Sequence, residues 1–332
     1  MIAFARNSFA QTLRACGSAA LRSVAGSVGE RGRNRLSKMI IEARVNEYAM
    51  RDQNPHVPWK AEEIADTAAR CREAGASILH FHARAHDGSP LQTVDENAEI
   101  IRRVRSKCDI LILPTLGFFS NDEDSASRID CMIQLAKDPL TRPDIAPIDT
   151  GSTNLETFDP ATGVFGHADR VYRNDTHALQ HYARLLKTVG IKPKLVCWSI
   201  GFVRRAAALM DAGLVDEPGY FLLNMTDGPY ITGHPGTPTG LQALVDFLPK
   251  NRKCVWTANI VGGSLVDLAA CVARLGGNIA PGIGDYPYLE LSSPPNEVVI
   301  QRVAEIARAN GRDIAEPDCV RRMLNLPARA SC

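Results

Sequence analysis

No stretch of this 332-residue chain approaches the roughly 18 consecutive apolar residues that a membrane-crossing helix needs. Net charge is nearly absent as well. At +1 the chain offers no electrostatic case for nucleic acid, whose phosphates call for a basic face. Nine cysteines occur, at 16, 71, 108, 131, 197, 254, 271, 319 and 332, with no Cys-x-x-Cys pair among them. An odd, scattered set points to free thiols in a reducing compartment, and a cytoplasmic protein is expected. No Gly-x-Gly-x-x-Gly follows the first apolar strand, which argues against an open dinucleotide-binding sheet. What is present is ordinary for a globular protein with a sizeable core: 45% hydrophobic and 23% charged residues.

The balanced charge hides an asymmetry. Residues 1–38 carry seven basic residues against Glu30 alone, a net +6, which leaves −5 for the remainder. Arg-rich, Ser-rich and lacking a secretory apolar stretch, this segment has the composition of an organelle transit peptide. The alternative, and the preferred one, is an upstream extension produced by a mis-assigned start, with translation beginning at Met39. In either case the fold is expected from residues 39–332, as one domain.

From residue 39 onward, apolar strand-like runs alternate with helical patterns. Strands are predicted over 39–45, 77–82, 108–113, 144–149, 194–198, 220–224, 254–259 and 278–283. Helices are predicted over 60–74, 95–106, 126–137, 175–188, 202–211, 240–248, 265–275 and 296–309. Eight alternating units imply parallel βαβ connections and fit a closed (β/α)8 TIM barrel. Such a barrel places its site at the C-terminal ends of the strands.

His80-Phe81-His82-Ala83-Arg84 falls at such an end. Residues i and i+2 of a strand share a face, so both imidazoles point into one space, a geometry suited to holding a metal. Two such histidines also occur as a satisfied polar pair or as a buried proton switch.

The chain resembles the β-keto acid cleavage enzymes, the 3-keto-5-aminohexanoate cleavage enzyme family. The resemblance is carried by Asn54-Pro55-His56-Val57-Pro58, Ala61-Glu62-Glu63-Ile64-Ala65, Glu73-Ala74-Gly75-Ala76 and the His80–Arg84 segment with Asp87-Gly88. Later stretches agree in order and spacing: Gly151-Ser152-Thr153-Asn154, Gly276-Gly277, Asp285, Asn310-Gly311-Arg312 and Ala315-Glu316-Pro317. The match runs from about Met39 to Leu326.

This resemblance implies a zinc-dependent TIM barrel, a homotetramer, that exchanges acyl groups between a β-keto acid and acetyl-CoA to give acetoacetate and a new acyl-CoA. It implies zinc on His80 and His82, substrate contact by Thr115, pocket lining by Ser152 and Asn154, and assistance to the chemistry by Asp285. A β-keto carboxylate can chelate a divalent cation through its keto and carboxylate oxygens, so a Lewis acid at this place is chemically apt.

The departures are as informative. The family's strand-8 signature is Gly-Gly-His-x-Arg-x-Gly-x-Glu-Asp, with the glutamate as third zinc ligand. Here the His is Asn278, the Arg is Ala280 and the Glu is Gly284. A further family glutamate on strand 5 aligns with Val196. Either the chemistry is lost, leaving a silent metal- or ligand-binding relative, or its groups have moved. In a closed barrel strand 1 neighbours strand 8, and Glu42 and Arg44 share a face. Glu42 is therefore expected as third metal ligand and Arg44 as the substrate-carboxylate contact; a buried pair that only cancels charge is the competing reading. Glu47, on the following loop, is a further candidate ligand. Another metal-dependent carbon–carbon lyase or hydrolase on the same barrel is the alternative enzyme. His86, His234 and Asn259 are secondary candidates for the pocket, and Trp198 and Trp256 read as packing residues.

Overall fold

The computed structural model describes residues 37–116 and 127–327. The expectations for residues 1–36, and the first residue of the 126–137 helix, lie outside the described residues. The barrel strands are β1 (Glu42–Arg44), β2 (Ile78–Phe81), β3 (Leu111–Pro114), β4 (Ile145–Asp149), β9 (Lys192–Cys197), β10 (Gly219–Thr226), β11 (Cys254–Val261) and β12 (Asn278–Ile279). Short strands β5 (Thr153–Asn154), β6 (Thr157–Asp159), β7 (Val164–Gly166) and β8 (Val171–Tyr172) form an excursion after β4. The helices are α1 (Ala61–Ala74), α2 (Val94–Lys107), α3 (Asp130–Leu135), α4 (Thr176–Val189), α5 (Ile200–Asp211), α6 (Pro238–Asp246), α7 (Ala269–Arg274), α8 (Asn296–Ala309) and α9 (Pro317–Leu324).

Local signals set the helix ends. The Glu63 carboxylate accepts from the Trp59 and Lys60 N–H groups at the start of α1. Gly75 ends that helix at φ 118°, a left-handed position that favours glycine. Thr93 caps α2 through Glu96 N–H, and Asp175 caps α4 through Ala178 N–H.

Two parallel arcs, β1-β2-β3 and β4-β9-β10-β11-β12, make up the barrel. Asp144 N–H donates to Ile112 O at 3.0 Å where β3 meets β4. On the other side Ile279 N–H donates to Ile40 O at 3.1 Å and Arg44 N–H to Pro281 O at 3.0 Å. The protein is a TIM barrel, its two arcs joined at both seams by these contacts.

The interior is layered. Ile40, Ile78, Leu111, Ile145 and Tyr220 form an apolar cluster closed by Val320 and Leu324 of α9. Above it Glu42 pairs in register with Ile78, and Arg44 with His80, so strand 1 sends both charged side chains inward. The predicted eight units are present. The excursion β5–β8 and helix α9 were not foreseen; β5–β8 are too short to show a period. β12 is shorter than predicted because Pro281 has no N–H to continue a ladder.

Candidate active site and metal centre

His80 and His82 stand at the end of β2 with their rings edge to face, centroids 5.3 Å apart. The chain leaving β1 turns over them. Asn46 pins this turn: its Oδ1 accepts from His82 N–H at 2.8 Å and its Nδ2 donates to His82 O at 2.8 Å. Arg84 clamps the same turn, donating to the carbonyls of Glu47 and Ala49 (2.7 Å), and is anchored in its own loop by donating to Gly88 O at 2.7 Å. Held this way, Glu47 adopts φ 31°, a backbone region unusual for a residue with a Cβ.

The turn brings the Glu47 carboxylate against both imidazoles. Glu47 Oε1 lies 3.1 Å from His80 Nε2, and Oε2 lies 2.8 Å from His82 Nε2. These three residues are the metal-ligand group among the described residues, their ligand atoms all within 4.8 Å of one another. Gly284 explains the position. A Cβ there would meet the Asn46 and Glu47 backbone at 2.7 Å, so the strand-8 glutamate of the family pattern and this strand-1 turn exclude each other.

Glu42 is elsewhere, and this corrects the expectation for the third ligand. It is fully buried one layer below, ion-paired with Lys194 Nζ and 3.4 Å from Arg44 Nη1. The two-residue period that put it on the interior face also put it beside Lys194 and beneath the imidazoles. Arg44 sits between the layers, its Nε donating to Asp285 Oδ2 at 2.6 Å and its Nη2 lying 3.1 Å from Glu47 Oε2.

Electrostatics follow from burial and pairing. Burial opposes charge on Arg44, but Asp285, Glu47 and Glu42 outweigh it and hold its pKa above the ordinary value. Burial likewise opposes ionisation of Glu47, yet Arg44 and the two imidazoles keep it well below the carboxylate range. For Asp285 burial prevails over Arg44 and pushes it up to about 7. Burial brings Lys194 down to about 8 against the pull of Glu42, and lowers His82 as well.

The residues fit a divalent cation. His80 Nδ1 lies 2.8 Å from Leu113 O, an acceptor only, so Nδ1 carries the proton and the Nε2 lone pair faces Glu47 Oε1. That carboxylate oxygen is buried and makes no hydrogen bond. Two electron-rich atoms facing each other in a dry site require a cation or an extra proton between them.

The group opens into a cavity of about 1080 Å³ at the C-terminal mouth of the barrel. Thr115 lines it, as do Arg44, Asp285, Tyr48, Trp198 and Asp149. Ser152 and Asn154 do not: Ser152 Oγ accepts from Asn174 N–H at 2.8 Å, and Asn154 is exposed on β5. These two expectations are also corrected, since the excursion turns both away from the mouth. His86 is exposed, and Asn259 donates to Asn224 rather than reaching the cavity. Trp256 packs against Gly277 as expected of a packing residue, whereas Trp198 lines the cavity. Val196, aligned with a family glutamate, pairs in register with Asp149.

A model of the beta-keto acid cleavage enzyme family matches residues 38–326. The chain belongs to this family. It is 27% identical over 297 residues to the 3-keto-5-aminohexanoate cleavage enzyme of Fusobacterium nucleatum, covering 88% of this chain and 99% of that one. The 3-dehydrocarnitine:acetyl-CoA trimethylamine transferase of Rhizobium meliloti is 26% identical over 295 residues, 83% of this chain and 92% of the relative. The barrel superposes on ObcA in its binary complex with oxaloacetate at a TM-score of 0.65, with 14% identity, covering 82% of this chain and 68% of that one. The latter likeness is one of fold. As a beta-keto acid cleavage enzyme family member the protein is an enzyme, and the departures at Asn278, Ala280 and Gly284 mark it as a divergent one. No helix among the described residues is long and apolar enough to cross a membrane.

Proposed function

We propose that the protein is a zinc-dependent β-keto acid cleavage enzyme that exchanges acyl groups between a β-keto acid and acetyl-CoA, releasing acetoacetate and a new acyl-CoA. The observation that carries this reading is the convergence of Glu47, His80 and His82 beside the Arg44–Asp285 pair at the cavity floor. The relatives named for acetyl-CoA-dependent transfer from 3-oxo substrates support it.

His80, His82 and Glu47 hold the cation in this reading. Zinc there supplies Lewis acidity toward the keto and carboxylate oxygens of the substrate. Arg44 presents fixed positive charge to the substrate carboxylate, kept in place by its three carboxylate neighbours. Asp285, with a pKa of about 7, is suited to take up and return a proton near neutral pH. Thr115 contributes a hydroxyl to the wall.

Charge balance supports this assignment. Lys194 and Arg44 face Glu42, Glu47 and Asp285, leaving one net negative charge that a dication and one substrate carboxylate return to neutral. The cavity is at the upper end of small-molecule sites, which suits a keto acid together with the thioester end of a coenzyme. A homotetrameric, cytoplasmic protein completes the proposal.

The test is acetoacetate formation from a panel of β-keto acids and acetyl-CoA, with the new thioester identified by mass. Turnover is expected to stop on chelation and return with Zn2+. Silence across the panel with zinc bound would overturn the proposal, and cleavage without CoA would indicate a lyase.

A further inference from the structure

A buried amide on the cavity wall has donors that bond nothing. Round the ring β1-β2-β3-β4-β9-β10-β11-β12, β10 lies four strands from β2 in either direction, so its interior face stands across the barrel from His80 and His82. Leu222 and Asn224 of that strand both line the cavity, as the two-residue period requires. Asn224 is 2% exposed, and its Oδ1 accepts from Nδ2 of its register partner Asn259 on β11 at 2.7 Å. That bond sets which way the amide points. With the oxygen turned toward Asn259, which does not line the cavity, Nδ2 is left on the cavity side. No acceptor among the described residues lies within hydrogen-bond distance of it.

The setting makes this donor strong. Val196, Leu222 and Ala280 form an apolar patch below it, with Trp198 packed against them. In such a place an unpaired N–H is costly, and it gains most from an oxygen that acquires negative charge. The buried cations are engaged elsewhere: Lys194 pairs with Glu42, and Arg44 stands on the β1 side beside Asp285 and Glu47.

The acyl exchange proposed above puts negative charge on a thioester oxygen. The carbon between the keto and carboxylate groups gives its proton to Asp285 and attacks the thioester carbon; a carbon–carbon bond forms, and the carbonyl electron pair moves onto oxygen. Its return breaks the carbon–sulfur bond. The coenzyme thiolate then adds to the original keto carbon, the bond from that carbon to the central carbon breaks, and the central carbon recovers the proton as acetoacetate leaves. The keto acid's own oxygens belong on the His80–His82 side, so the thioester oxygen falls toward the opposite wall. An eight-strand barrel is only just wide enough inside for its side chains, which brings that wall within reach of a small acid held at the metal centre.

We propose that the Asn224 side-chain amide is a catalytic donor to the acetyl thioester oxygen, stabilising the charge it gains during transfer, and that Asn259 positions it. The inference rests on the reaction proposed above and adds a catalytic group to it. The competing account makes Asn224 and Asn259 a buried polar pair that only joins β10 to β11.

Asn224→Leu keeps the volume and removes the donor. Its kcat for acetyl transfer should fall by roughly 10²–10³-fold, with zinc content and the KM of the keto acid unchanged. A kcat within about threefold of wild type overturns the proposal. A binding measurement stands apart from turnover. Calorimetry compares the ketone analogue of acetyl-CoA, with a methylene in place of sulfur, against an alkyl analogue of the same length that lacks the carbonyl. Wild type should bind the ketone about tenfold more tightly, and Asn224→Leu should lose that preference. Asn259→Leu, which keeps the donor but not its aim, should lose part of it, and serves if Asn224→Leu does not fold. Equal binding of the two analogues by wild type, or a preference that survives in Asn224→Leu, refutes the donor whether or not any keto acid is cleaved. Absence of transfer by wild type with the preference intact would remove the proposed reaction and leave the contact to the thioester oxygen standing.

Discussion

Glu42 and Glu47 are five residues apart, both buried and both ion-paired, yet their roles separate by partner. Glu47 faces two imidazole nitrogens, and Glu42 faces an ammonium. Glu47→Ala is therefore expected to lose bound zinc, from near one equivalent to a small fraction, with little loss of fold. Glu42→Ala should keep its zinc and lose about 3–5 kcal/mol of stability, because Lys194 is left buried without its counter-charge. Metal analysis and urea unfolding of the two proteins check this, and zinc loss confined to Glu42→Ala would reverse the assignment. The histidine pair was legible from the i, i+2 spacing alone. The third carboxylate was legible only as a secondary candidate behind Glu42, since a loop residue at φ 31° has no sequence period to rank it; Gly284, a glycine where the family pattern has glutamate, was the signal that the ligand had moved.

Among the elements, the alternation of strands and helices reads through because each strand is buried on both faces and each helix on one. The excursion β5–β8 escapes such reading, and with it the displacement of Ser152 and Asn154. So does α9, which begins with proline at the first helical turn and buries Val320 and Leu324 under the barrel. Its role is to close the floor on which the charged layer rests. Leu324→Ala should cost about 2–5 kcal/mol in chemical denaturation, the usual range for an aliphatic truncation in a packed core. A cost below about 1 kcal/mol would mean that the helix end does not pack as described.

Taken as a whole, the barrel gathers three carboxylates and two cations into one buried cluster that carries net negative charge. Divalent metal should then stabilise the fold by mass action, about 2.7 kcal/mol at a free concentration one hundred times Kd, seen as a rise in Tm that chelation removes. An unchanged Tm with saturating zinc would argue against the site. The pH profile of turnover tests Asp285. Its folded pKa is raised to about 7, so the basic form accumulates as pH rises through that value, and kcat is expected to climb and level off above it. Asp285→Asn should lower kcat by roughly 10²–10⁴-fold and abolish that limb. A wild-type rate that is flat between pH 6 and 8, about a unit either side of that pKa, would remove Asp285 from proton transfer.

Local periodicity and strand-end motifs are enough to read eight βα units, the barrel and His80 with His82, because these depend on neighbours two to four residues apart. The remaining parts of the site depend on contacts between distant segments. Glu47 reaches the histidines only because β1 closes on β12 and Gly284 leaves room for its turn. Lys194 claims Glu42 from across the barrel, 152 positions later in the chain. Such choices rest on which side chains meet in space, and no spacing along the chain encodes them.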